Sequence, residues 1–283
     1  MFLITGSTGH IGLPLVEQLH KDGHGVRALV RDASRAKLLP DGIDIAVGNL
    51  DDVGSVAAAL RGAGSVFLLQ VGAGTAQTRI MIDAARSAGV NRIVLLSSVG
   101  ARLVPVAGPI PQSLTDRETL LRASGLDVTY LRPTSLMSNA LGWAGGIRED
   151  NRVVDPTDPG VQVPVDPDDV ARVAARVLTE DGHAGHGYIL NGPEALTVRE
   201  EVAILSDVLG RTIEFVAVTP EQAAKEAMRR GTPAPLAEAM QQLNEMFRAR
   251  RVGQIADDVE NLTGAAPATF RQWCERHADE FRA

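Results

Sequence analysis

Gly6, Gly9 and Gly12 recur at three-residue intervals in the segment TGSTGHIG at 5–12. A turn without Cβ atoms lets the backbone approach a bulky anion. The free N–H groups and positive dipole end of a following helix then face that anion. An apolar run at 1–4 precedes the turn, and an apolar helical face of Ile11, Leu15, Val16 and Leu19 follows it. Strand, glycine turn and helix in this order predict a dinucleotide pyrophosphate site. The competing reading is an ordinary strand-to-helix turn. The N-terminal position, and a second strand-like run at 26–30 after the Gly23–Gly25 turn, favour the nucleotide site.

Other reactive residue types read as structural. His183 and His186 are three apart in DGHAGHG, but the glycines make a turn and no third ligand is evident, so no metal site is expected. Asp166, Asp168 and Asp169 precede a helical pattern, where an N-cap and dipole-favouring acids belong. Ser97–Ser98 has no base near it in sequence. Cys274 beside Trp273 reads as packing, and as the single cysteine it excludes an intrachain disulfide.

The elements that must position the glycine turn alternate. Strand-like runs at 26–30, 43–47, 65–70, 92–97 and 128–131 are separated by helical patterns at 53–60, 75–88 and 114–123, and by a helix opened by Ser34. Val53, Val56, Ala57 and Leu60 are expected on one helical face. Continuous apolar strands between amphipathic helices predict an α/β fold with a doubly wound parallel sheet of the Rossmann type. The pattern loosens from about Asn139, through Pro156, Pro159, Pro164 and Pro167. Val170, Val173, Ala174, Val177 and Leu178 then mark a helix, and 188–190 a last short strand. Helical patterns at 198–209, 220–230, 235–247 and 270–281 follow, with a candidate strand at 215–218. Residues 1–155, completed by 166–190, read as the nucleotide-binding domain. Residues 191–283 read as a smaller, mainly helical C-terminal lobe over the sheet's C-terminal edge, where such folds bind ligands.

The net charge of −7 over 283 residues argues against non-specific nucleic-acid binding. No apolar stretch approaches the ~20 residues of a membrane span, and the start lacks the basic segment of a signal peptide. A cytoplasmic protein is expected.

TGSTGHIG at 5–12, VRALVRD at 26–32, GNLDD at 48–52, VLLSSVGA at 94–101, ETLLRASGLDVTYLRPTSLMSN at 118–139 and YILNGPEALTVRE at 188–200 together resemble the atypical short-chain dehydrogenase/reductase superfamily. The NmrA-like group, with its NAD(P)H:quinone oxidoreductase-like members, is the nearer likeness. It extends to about residue 212; beyond that only length and helical character are shared. The resemblance implies that Gly6, Ser7, Thr8, Gly9, His10, Ile11 and Gly12 wrap the pyrophosphate and that Asn49 and Leu50 flank the adenine. Asn49 stands where the family usually has Asp; its amide oxygen can still accept from the adenine amino group. Leu69, Gln70 and Val71 would lie under the nicotinamide ribose, Ser97 beside the nicotinamide, and Pro133 and Thr134 against its ring. Met137, Asn139 and Trp143 are candidates to line a substrate cavity, with interdomain packing as the alternative. In family register Val30 takes the place of the acid that holds an NAD ribose. Arg31 follows it and could pair with a 2′-phosphate, so NADPH is expected over NADH. A slip of one residue would restore an acid, Asp32.

The superfamily's usual Tyr-x-x-x-Lys pair, in which lysine lowers the tyrosine pKa for proton transfer, is absent. Thr134 stands four after Tyr130 and Gly192 four after Tyr188; the lysines are Lys21, Lys37 and Lys225. In family register the pair falls at Leu114 and Glu118, so the catalytic residues are unassigned. Hydride transfer to a quinone or similarly activated carbonyl fits, because proximity and orientation then suffice. An NmrA-type redox sensor that binds the cofactor without turnover is a second reading. A tailoring reductase, cyclase or isomerase of an aromatic or polyketide-like metabolite is a third. A homodimer is compatible with each.

Overall fold

The computed structural model describes residues 1–72, 74–102, 108–249 and 255–282. The chain alternates from its start: β1 (Phe2–Ile4), α1 (Gly12–Lys21), β2 (Val26–Val30), β3 (Asp44–Val47), α2 (Val53–Leu60), β4 (Ser65–Leu68), α3 (Ala76–Ala88), β5 (Arg92–Leu96), α4 (Pro109–Arg122) and β6 (Asp127–Pro133). Next come α5 (Ala144–Asp150), β7 (Arg152–Asp155), β8 (Val161–Gln162), α6 (Pro167–Thr179), β9 (Gly187–Leu190), β10 (Leu196–Thr197), α7 (Val198–Leu209) and β11 (Glu214–Ala217). Five helices end it: α8 (Pro220–Arg229), α9 (Ala234–Ala249), α10 (Asp258–Thr263), α11 (Phe270–Arg276) and α12 (Ala278–Arg282).

The main sheet has seven strands in the order β3-β2-β1-β4-β5-β6-β9, all paired in parallel. It is the doubly wound α/β fold that the strand pattern predicts. Successive strand residues point to opposite faces, which divides the core. Ile4, Phe67, Val94 and Leu131 pack on α1 and α6. Their neighbours Leu3, Val66, Ile93 and Tyr130 pack with α2, α3 and α4. The order reverses between β1 and β4, and ligands of open α/β sheets bind beyond the strand ends at such a reversal.

A separate apolar cluster holds the lobe. Met137, Ile147, Val153, Val202, Leu205, Phe270, Trp273 and Phe281 form it. Trp273 stacks on Phe270 at 5.7 Å, and such a pair adds about 0.5–1.5 kcal/mol beyond its buried area.

The structure redraws several expected boundaries. Segment 137–155, expected in the nucleotide domain, supplies a 3-10 turn (Met137–Trp143), α5 and β7 to the lobe. In the other direction, α10 returns to the sheet: Val259 joins its core, and the Asp258 carboxylate accepts from the N–H of Ile189 on β9. The helix expected from Ser34 is a 3-10 turn over Ala33–Leu38. The helix expected over 270–281 breaks at His277, whose ring stacks on Trp273 at 4.5 Å. On α2 the buried residues are Val56, Ala59 and Leu60, whereas Val53 is 62% exposed and Ala57 is exposed.

Candidate cofactor site

The glycine turn is shaped by requirements that only glycine meets. Gly6 has φ +64°, a left-handed conformation that glycine adopts without penalty. The N–H of Gly9 donates to its carbonyl at 3.0 Å. A Cβ on Gly12 would lie 2.1 Å from that same carbonyl oxygen. α1 therefore starts directly against the turn. Its N-cap residue, Ile11, makes no side-chain cap, and no acid stands in its first turn. The Leu13 N–H donates to the Gly9 carbonyl at 3.0 Å and Pro14 has no N–H, so it is the N–H groups of the turn and of Gly12 that face an anion at this helix start. The Ser7 hydroxyl donates to the Leu29 carbonyl at 3.0 Å. The Thr5 hydroxyl accepts from the Leu69 N–H at 2.7 Å. These bonds tie the turn to β2 and to the end of β4.

A cleft of ≈ 510 Å³ opens at this reversal point, within the ~300–1,000 Å³ of small-molecule sites. Of the expected cofactor residues, Gly6, Ser7, Thr8, Gly9, Arg31, Asn49, Leu50, Leu69 and Val71 line it. Ile11 and Gly12 are buried behind the turn, and His10 is exposed. Val30 and Asp32, both weighed for the ribose end, also line it, and Thr5, Arg35, Asp51 and Gln77 join from positions that sequence reasoning did not single out for the site. Arg31 and Arg35 make no ion pair among the described residues, and an Arg35 N–H reaches the Thr8 hydroxyl at 3.4 Å. Asp32 accepts from the N–H of Ser34 at 2.8 Å and so caps the 3-10 turn. That backbone hydrogen bond, with one from the Ser34 side chain, holds its carboxyl below the usual aspartate range.

Asn49 Oδ1 accepts from the N–H of Asp51 at 2.8 Å. That bond takes one of the two lone pairs of the amide oxygen. Gln70 does not line the cleft. Its Oε1 accepts from the Thr78 hydroxyl at 3.0 Å, and its buried Nε2 has no partner.

Ser97 at the end of β5 is joined to a buried ion pair. Its hydroxyl donates to Glu118 Oε1 at 2.7 Å. Arg132 of β6 donates Nε to the same oxygen at 2.9 Å and Nη2 to Oε2 at 2.7 Å. Glu118 and Arg132 are 3% and 5% exposed. The Arg132 guanidinium also lies 5.3 Å from the Tyr130 ring centroid. Burial raises the Tyr130 pKa further above its usual value, which keeps this phenol protonated and makes it a weaker acid. Sequence reasoning found no base for Ser97. Glu118, twenty-one residues away in the chain, is its acceptor, but two bonds to Arg132 commit that carboxylate. Arg117, one residue earlier, was also missed. It is buried and donates to the carbonyls of Gly74 at 2.8 Å and Gly72 at 2.5 Å, beside the Val71 wall of the cleft. Burial lowers its pKa from the usual arginine value.

Pro133 is buried at the end of β6. The Thr134 N–H donates to the Leu190 carbonyl at 2.9 Å, and its hydroxyl to Val163, which joins sheet and lobe. Met137 is 2% exposed inside the lobe's cluster. Trp143 is half-buried against that cluster, and Asn139 is exposed.

The remaining reactive residues are engaged in the fold. Asp166 caps α6 and pairs with Arg276, and burial pushes its carboxyl up. Asp169 accepts from the Ala268 N–H at 2.8 Å. His183 Nδ1 lies 2.8 Å from the Tyr188 hydroxyl. Burial lifts the Cys274 thiol to about 12. No group of three or more metal-ligating side chains is gathered among the described residues, and no helix among them is long and apolar enough to cross a membrane. A larger groove of ≈ 650 Å³ runs between α7 and β11. It lies in the lobe and borders neither the glycine turn nor the ends of the main sheet.

Parallel sheet, glycine turn and reversal-point cleft define a Rossmann-type dinucleotide-binding protein. Residues 6–181 match the family model described as NAD(P)H-binding, and the chain belongs to that family. It is 36% identical over 281 residues to the (4-alkanoyl-5-oxo-2,5-dihydrofuran-3-yl)methyl phosphate reductase of Streptomyces griseus, covering 99% of each chain. To the NAD(P)H azoreductase of Xenophilus azovorans it is 34% identical over 287 residues, covering 100% of each. An NADPH complex of the NADPH-dependent quinone oxidoreductase of Escherichia coli superposes with a TM-score of 0.85 at 26% identity, covering 98% of this chain and 99% of the other. The class is NAD(P)H-dependent oxidoreductase.

Proposed function

We propose that the protein reduces a quinone or similarly activated carbonyl with NADPH, by direct hydride transfer. The observation that carries this reading is the inner face of α4. Leu114 and Glu118 stand where the superfamily's tyrosine and lysine would be, and Glu118 is bound by Arg132 and Ser97. A substrate whose reduced form is a stabilised anion needs no such acid, and orientation supplies most of the acceleration. The names of relatives, an azoreductase and a quinone oxidoreductase among them, support electron-poor acceptors.

The cleft fits the cofactor. The absence of a side chain at Gly12 lets α1 start directly against the Gly6 carbonyl, and the N–H groups of the turn and of Gly12 at that uncapped helix start are offered to a pyrophosphate. When bound, the cofactor supplies a hydride. Gly6 to Gly9 hold the phosphates, Leu69 and Val71 support the ribose, and Leu50 packs against the base. Arg31 and Arg35 converge on the 2′-phosphate of NADPH. Asp32 is the competing ribose ligand, but its carboxylate is already capping Ser34, and two guanidiniums without an ion-pair partner among the described residues outweigh one engaged acid.

The test is nicotinamide absorbance with purified protein, NADPH and a panel of quinones. Quinone-dependent loss of NADPH is expected. Binding of NADPH with no turnover on any quinone or azo acceptor would overturn the quinone reading in favour of a redox sensor.

A further inference from the structure

Arg117 on α4 is 7% exposed. Its acidic neighbours in the chain are engaged elsewhere: Asp116 accepts from Gln112 and Glu118 from Arg132. Burying a guanidinium is costly unless its donors are used. Here Nε donates to the Gly74 carbonyl at 2.8 Å and Nη2 to the Gly72 carbonyl at 2.5 Å. A third bond runs the other way. The Gly74 N–H donates to the hydroxyl of Ser113, one turn earlier on α4, at 3.0 Å. Gly72 and Gly74 have φ of +86° and +88°. A Cβ on either would meet nothing within 4 Å, so the left-handed backbone, and not lack of space, calls for glycine there. Val71, beside this pair, is 54% exposed and lines the cleft.

We infer that Arg117 is a positioning residue of the cofactor site: by clamping the Gly72 and Gly74 carbonyls it fixes the loop between β4 and α3, so that Val71 stands ready under the nicotinamide ribose. The inference rests on the cofactor reading above and goes beyond it by naming what holds that wall in place. An exposed valine beside two glycines has little packing of its own. A planar guanidinium spanning two carbonyls supplies the hold, which a lysine's point charge would not reproduce. A loop ordered in advance costs nothing to order when the ligand arrives. A loop that is competent only part of the time weakens apparent affinity by that fraction. The adenosine end stands on other elements, with Arg31 and Arg35 after β2 and Leu50 after β3.

The experiment measures, by calorimetry and without any acceptor substrate, binding of NADPH and of adenosine 2′,5′-bisphosphate. The second ligand keeps the adenosine end and lacks the nicotinamide ribose. Arg117→Met keeps much of the side-chain length and removes the donors. It should weaken NADPH about tenfold, the factor for a loop competent about a tenth of the time, and leave the bisphosphate within about twofold. Ser113→Ala removes only the acceptor of the Gly74 N–H and should show the same pattern at about threefold. Its half-buried side chain makes it the deciding variant where Arg117→Met does not fold. Val71→Gly removes the wall itself. Combined with Arg117→Met it should weaken NADPH by less than the product of the two single effects, because one residue acts through the other. Equal weakening of both ligands, unchanged NADPH binding in the deciding variant, or independent effects of Arg117→Met and Val71→Gly overturns the inference and leaves the cofactor reading standing. Failure of the wild-type protein to bind NADPH at all overturns both.

Discussion

Arg31 and Arg35 border the same end of the cleft without carboxylate partners among the described residues. Hydrogen bonds to a charged group contribute about 1.5–3 kcal/mol where solvent is excluded, and both residues are exposed. Arg31→Ala and Arg35→Ala should therefore each weaken NADPH binding by the lower end of that range, about tenfold, and change NADH binding by less than about twofold. The ratio of the two dissociation constants checks it, and an unchanged ratio in both variants would remove the 2′-phosphate argument. Arg31 stands out as a candidate in the sequence because it follows a strand end. Arg35 does not, because it falls inside the segment from Ser34 that reads as an α-helix, and a 3-10 turn rotates its residues differently. The Ser97–Glu118–Arg132 network was illegible for another reason: its members lie on β5, α4 and β6, and no local spacing connects them. Removing one partner of such a buried pair leaves an uncompensated charge, at about 3–5 kcal/mol. Arg132→Met should lower the unfolding midpoint by several degrees, and adding Glu118→Met should recover much of that loss. Equal midpoints for the single and double variants would show that the charge is not what matters.

Elements were more legible than their edges. Continuous apolar runs gave the strands of the main sheet, because both faces of a parallel sheet are covered. The burial of α2 was misjudged because its three consecutive alanines, Ala57 to Ala59, carry almost no directional signal. Periodicity also does not say where along a helix its contact with the sheet ends, which is why Val53 at the first position is exposed. α5 and β7 were missed because the Gly145–Gly146 pair and the short runs around it match neither period over enough residues. The glycine turn is the opposite case, in which a sequence spacing meant a physical contact. Gly12→Ala should force the Gly6 carbonyl, 2.1 Å from the new methyl, to move. The expected result is loss of measurable NADPH binding with the sheet intact by circular dichroism. Normal binding by that variant would mean the turn is more adaptable than its close contact implies.

Across the whole molecule, the lobe is held to the sheet by polar contacts that no local pattern reveals. Asp258 on β9, Asp169 on the Ala268 N–H and Asp166 on Arg276 all join distant segments. The lobe also contains a carboxyl that sets its own pH limit. Glu201 on α7 is 7% exposed, and burial, with the Asp155 carboxylate as a lesser cause, raises its pKa from 4.5 to about 8. The folded lobe therefore binds this proton more tightly than the unfolded chain does. The resulting stability is complete below the unfolded value of 4.5, declines as pH rises, and is lost once pH passes about 8. Titration of other carboxylates depressed by their partners, such as Asp32 and Glu200, acts in the opposite direction and only at acid pH. Cys274, with its thiol lifted to about 12, stays neutral through this window and does not confuse it. Glu201→Gln keeps the shape and removes the charge. Each pH unit between the two pKa values is worth about 1.4 kcal/mol, so the gap between variant and wild-type midpoints should widen by a few degrees from pH 6.5 to pH 8.5, in favour of the variant. Thermal unfolding at the two pH values decides this. Parallel curves would mean that Glu201 finds enough water or hydrogen bonding in the folded lobe to ionise as it does in the unfolded chain.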